Sequence, residues 1–143
     1  MRRDVPIPER FASLPLNEAG YPVPFFAAEV EGKRDIRVVS ANAFHRCVRE
    51  RLCWLCGQTL AGLLAFVVTD AGARLRRTRE PPCHPECAEF ALRICPFITN
   101  PEARYRNGTA HPGPYRIYLT SGYRVTELRN AWPAGEITLG AEA

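Results

Sequence analysis

Cys53-Trp54-Leu55-Cys56-Gly57 and Cys83-His84-Pro85-Glu86-Cys87 bracket the stretch that decides the fold. Two sulfurs two residues apart reach one ion when the backbone between them turns tightly. Gly57, directly after the second cysteine, accepts the positive φ such a knuckle requires. His84 and Cys87 repeat the spacing where a helix is expected to begin. Pro85 falls at a first-turn position, where a missing N–H costs nothing. Glu86 places an acid near the positive end of the helix dipole. Residues 88–94 run apolar at helical spacing and Pro96 marks the stop. Cys53, Cys56, His84 and Cys87 therefore read as the four ligands of one structural Zn2+ ion, which takes thiolate and imidazole in tetrahedral geometry.

Between Cys56 and His84 lie 27 residues, more than the usual spacer of paired Cys motifs. Residues 60–69 are apolar and end in β-formers, Asp70-Ala71-Gly72 is a turn signal, and 73–78 can return as a strand. Knuckle, β-hairpin, helix is the order of a treble-clef zinc finger. Other readings of the cysteines carry less. A CxxC pair can be redox-active, but no strand-then-helix context follows this one. Six cysteines can form disulfides in a secreted domain, but no signal peptide is visible and the chain is long enough for its own core. Cys83 can replace His84 through Cys83-x-x-x-Cys87, and that alternative stays open. Cys47 and Cys95 lie on apolar helical faces and read as small buried residues.

A length of 143 residues suits one domain. The apolar fraction is ordinary, and the longest apolar run is too short to span a bilayer. With no leader visible, the expectation is a cytoplasmic protein in which thiols stay reduced for metal. The net charge is +4, and 18 of the 19 basic residues are arginine. Arginine suits bidentate phosphate contacts, but a GC-rich genome enriches it as well, so composition alone does not argue for nucleic acid.

In chain order, residues 1–24 form a proline-rich extended arm and 25–143 a single zinc-binding α+β domain, with the zinc module at 53–98. Two strands are expected at 25–30 and 36–39. A helix over 43–52, capped by Ser40 or Asn42, leads into the knuckle. Residues 99–113 read as a loop. Tyr115–Thr120 alternates, Ser121-Gly122 turns, and 123–128 returns, which predicts a hairpin. Glu136–Leu139 reads as a short edge strand.

These residues also carry a resemblance. Gly20-Tyr21-Pro22-Val23-Pro24-Phe25-Phe26 resembles the "GYPVPWF" of a family of small bacterial and bacteriophage proteins of unknown function. Gly32 to Val38 is similar to its "GKPDFRV", Cys53 to Gly57 to its "CWxCG", and Ala65 to Val68 to its "AFVI". Glu80 to Ala88 resembles "EPPSHxxCA", and Cys95 to Ile98 resembles "CPFL". The similarity covers most of the chain. It departs at Thr69-Asp70-Ala71-Gly72, where the family pattern has Gly-Pro-Met, and at Cys83, where it has serine. That serine favours His84 as the ligand. The resemblance implies a phage-associated origin and brings no reaction.

No catalytic set is visible. His-Asn-His endonucleases place a general-base histidine before the metal helix, and none lies between Cys56 and Cys83. Deaminases use H-x-E followed by P-C-x-x-C, and here the CxxC comes first. Four protein ligands leave zinc no open position. There is no sign of a small-molecule substrate. Two non-enzymatic roles follow. One is a regulator or inhibitor docking on a host protein through Tyr115, Tyr118, Tyr123 and Trp132, residue types favoured at interfaces. The other is a nucleic-acid binder using Arg46, Arg49, Arg74, Arg76, Arg77, Arg79, Arg104 and Arg106. Sequence reading places the first slightly ahead.

Overall fold

The apolar run after the knuckle becomes the strand around which the two halves of the chain meet. The computed structural model describes residues 5–94 and 114–143. The architecture is α+β with antiparallel sheets throughout the described residues. Strands β1 (Ala27–Val30) and β2 (Lys33–Val39) form a hairpin. Its two-residue turn, Glu31-Gly32, has φ of 52° and 80° at both positions, the left-handed geometry that matches strand twist. Helix α1 (Ala41–Glu50) is capped by the Ser40 hydroxyl, which accepts from the Ala43 N–H at 3.0 Å. It ends at Arg51, in left-handed conformation with φ 58°. Phe44 and Cys47 face the interior and are fully buried.

Strand β3 (Leu64–Thr69) was expected to fold back on 73–78, and it does not. It pairs over its full length with β5 (Tyr115–Thr120), from Leu64 opposite Thr120 to Thr69 opposite Tyr115. The returning segment is instead helix α2 (Asp70–Leu75). The Thr69 hydroxyl accepts from the Gly72 N–H at 3.0 Å, and Asp70 sits in the first turn. Thr-Asp is a helix-start signal, and Ala71, Ala73 and Leu75 are strong helix formers. Only Arg77–Thr78 (β4) is extended.

The expected hairpin of 115–120 with 123–128 is also absent. Strand β6 (Tyr123–Thr126) turns away from β5 into a different sheet, ordered β4-β7-β6. The corner lies at Thr120–Gly122. The Thr120 hydroxyl donates to the Gly122 carbonyl at 3.3 Å, and the same carbonyl accepts from the Gly140 N–H at 2.9 Å. Strand β7 (Glu136–Leu139), read as an edge, is the centre of that sheet. Its Ile137 and Leu139 are fully buried. An alternating four-residue strand flanked on both sides by partners buries one face completely, and local sequence does not reveal those partners.

The segment before β1 enters the core. Phe11 and Tyr21 are buried, and Phe11 packs against Phe90 of helix α3 (Pro85–Ile94) with ring centroids 5.1 Å apart. No helix among the described residues is long and apolar enough to cross a membrane. Cys95, His111, Arg104, Arg106 and the expected loop at 99–113 lie outside the described residues.

Candidate metal centre

The knuckle is the tip of a narrow loop. Leu52 bridges Thr59, the Cys53 N–H donates to Gln58 O at 2.8 Å, and the Leu60 N–H donates to Arg51 O at 2.8 Å. Inside it the backbone points at sulfur. The Cys56 N–H donates to Cys53 Sγ and the Gln58 N–H to Cys56 Sγ, each at 3.4 Å. Gly57 has φ +78°, and a Cβ there would lie 2.6 Å from the Phe25 ring. Backbone conformation and packing both select glycine.

The second ligand pair is placed by the main chain of Cys83, which exchanges hydrogen bonds with Ala65 of β3 at 2.8 and 2.7 Å. His84 follows at once, and Cys87 sits in the first turn of α3. The donor atoms of Cys53, Cys56, His84 and Cys87 all lie within 4.8 Å of one another, and all four residues are buried. His84 presents Nδ1, 3.4 Å from Cys56 Sγ and 3.7 Å from Cys87 Sγ. Its Nε2–H donates to the Thr59 carbonyl at 2.9 Å. That second bond fixes the tautomer in which Nδ1 is free to bind a metal. Cys83 contributes no atom to the cluster; the choice between Cys83 and His84 falls to His84.

The electrostatics fit an ion. Burial pushes Cys53 up, but Cys56, Cys83, Cys87 and His84 together hold its thiolate well below the ordinary thiol range. Against that charge Cys56 is pushed up to about 11, and Cys87 further, both chiefly by Cys53. His84 is raised, first by its bond to Cys53. Three thiolates around a divalent ion leave a net charge of about −1. Arg10 answers it: its Nε donates to Glu86 at 2.7 Å, and its Nη1 lies 3.2 Å from His84 Nε2. Because Nε2 spends its proton on Thr59 and Arg10 has only donors, this last approach is a charge near the site and not a hydrogen bond.

The structure separates the other expected residues. Among the proposed protein-contact aromatics, Tyr118 is buried and its hydroxyl donates to Gly140 O at 2.6 Å. Trp132 stacks on Trp54 at 5.9 Å, and half-buried Tyr123 packs edge-on against Phe66 at 5.6 Å. Tyr115 is half-buried at the start of β5. Among the arginines, Arg46 and Arg49 pair with Glu50 at 3.0 and 3.6 Å. Arg79 pairs with Glu136 at 3.1 Å. Arg74, Arg76 and Arg77 are exposed and make no ion pair among the described residues. Arg124, which sequence reading missed, joins them: Arg77 and Arg124 both stand opposite Thr138, one on each side of β7. Only the pairing of distant strands brings it there. His45, the other described histidine, donates from Nε2 to Arg129 O at 2.6 Å. Comparison with family models, curated proteins and solved structures returns no match.

Proposed function

We propose that the chain is a zinc-stapled, non-enzymatic binding module that contacts a nucleic-acid backbone through the solvent face of the β4-β7-β6 sheet. Zinc is the favoured ion because three cysteines and one histidine in a closed, buried set is a structural zinc donor set. Four protein donors leave no position for a reacting water, which supports a scaffolding role for the ion. The observation that carries the binding reading is the arginine row. Arg77 and Arg124 flank Thr138 across two strand spacings, about 10 Å; Arg74 and Arg76, just before β4 in the chain, are exposed too, and no acid pairs with any of the four among the described residues. The alternative, a regulator or inhibitor of a host protein, loses support because Tyr118 is buried and Tyr123 and Trp132 already pack against Phe66 and Trp54, while Tyr115 is half-buried. The resemblance to phage-associated proteins is compatible with either partner.

The test is binding of the zinc-loaded protein to short single- and double-stranded DNA and RNA across a salt series. Engaging three or four phosphates on duplex DNA gives a slope of log K against log salt of about −3. The Arg77→Ala/Arg124→Ala double variant should lower that slope by about 2. Absence of binding at about 50 mM salt, or a slope indifferent to the double variant, overturns the reading.

A further inference from the structure

The N-terminal segment, β2, the metal helix α3 and the turn before it enclose a second feature, a cavity of about 220 Å³. Its walls are apolar and aromatic, among them Phe11, Tyr21, Phe26, Val67 and Phe90. One wall is different. Glu80 lines the cavity, and among the described residues its side chain has one hydrogen bond, from Trp54 Nε1 at 3.1 Å, and no ion pair. Phe26 and Trp132 both stack on Trp54, at 5.2 and 5.9 Å. Its edge is spent on Glu80. Burial pushes the Glu80 carboxyl up, as expected for an acid without a countercharge. Arg34 also lines the cavity, but its side chain is exposed and its charge is solvated at the rim.

We infer that this cavity is a binding site for a small organic amine with an apolar body, the ammonium directed at Glu80 and the body held among the aromatic rings. An apolar cavity of ~150 Å³ accepts benzene; the volume here accommodates a body of about nine or ten non-hydrogen atoms. Aromatic walls tolerate a cation better than aliphatic ones, and a carboxylate short of partners gains a charge-assisted bond when the ammonium arrives. Nothing in the inference depends on the arginine row, which lies on a different sheet.

Phenethylamine, phenethyl alcohol and 3-phenylpropionate form a matched probe set of cation, neutral and anion. Each is titrated into the zinc-loaded full chain, followed by calorimetry and by the methyl resonances of Val67 and Ala91, which line the cavity. The amine should bind saturably, about tenfold tighter than the alcohol, with the carboxylate weakest, and should shift both methyls. Glu80→Gln keeps an acceptor for Trp54 and should retain one zinc per chain. In that variant, amine and alcohol should bind equally. The inference is overturned if wild-type protein shows no saturable binding of the amine or no preference over the alcohol. It is also overturned if the preference survives in Glu80→Gln, or if the shifted resonances lie away from Val67 and Ala91.

Discussion

The metal centre and the three-stranded sheet are held together by opposite strategies. At the metal centre two local motifs, each complete within five residues, bring four donor side chains together that could hold one ion. The knuckle turns by itself through Gly57 and its N–H···S bonds, and the helix starts by itself at Pro85. In the sheet, β4, β6 and β7 are two to four residues long and none is stable without the others. Their association buries Ile137 and Leu139 completely. The first region has strong bonds between few residues. The second has weak contacts that are cooperative and distant in sequence. The difference teaches which parts of the chain fail together and which fail alone.

The largest expected break is at the ion. Cys56→Ser or His84→Ala should lose the metal and with it a binding free energy that in structural zinc sites is about 10–16 kcal/mol. Metal content by mass spectrometry and a thermal melt check this; one ion per chain with an unchanged melt defeats the assignment. Hydrogen exchange on the same variants sharpens the comparison, because amides of 51–60 and 84–94 should lose protection before those of β7. The converse experiment is Ile137→Ala, expected to cost about 2–5 kcal/mol as a cavity in a packed core. Denaturation should record that loss while the protein still binds one metal ion. If the ion is lost too, the two regions are one cooperative unit.

A smaller effect is expected at the join between the knuckle and the strand hairpin. Gly57→Ala places a methyl against Phe25 at a positive φ and should cost about 1–3 kcal/mol, read as a lower denaturation midpoint with metal retained. The smallest is a pH effect at Glu80. Its folded-state pKa is raised above the ordinary 4.5 by burial, so the ionised form is the less stable one in the fold. Stability attributable to this group is full below that ordinary value and is lost as pH rises through the folded one. Glu80→Gln should therefore be more stable than wild type at pH 7, by on the order of 1 kcal/mol. The difference should vanish toward pH 4, as measured by urea melts at both pH values.

The clustering of Cys53, Cys56, His84 and Cys87, a cap at Ser40 or Asn42 and the helix over 85–94 were legible because each is decided within a few residues. Spacing, a hydroxyl before a helix, and a proline at the first turn are local statements. Strand partners are not. Leu64–Thr69 is a recognisable strand, but nothing within it distinguishes a return at 73–78 from a partner 50 residues on. Asp70-Ala71-Gly72 was read as a turn because Gly and Asp mark turns, while the preceding Thr69 makes the same letters the start of a helix. Tyr118 and Trp132 were assigned to the surface by residue type, and type alone cannot say which side of a strand faces inward until its neighbours are known. Arg10 and Glu80 escaped notice for the same reason: their partners, Glu86 and Trp54, are far away in sequence.

The pairing of β3 with β5 also bears on portability. A fragment cut at 51–94 keeps all four ligands and the helix that carries two of them, so by its motifs it is a complete finger. It leaves behind Tyr115–Thr120, and with it the partner of Leu-Ala-Phe-Val-Val-Thr, an uncharged, proline-free run of strong strand formers. Such a run with an open edge is a template for self-association. This four-residue cluster is not an exchangeable cassette, and grafting it into another protein means carrying the late strand along.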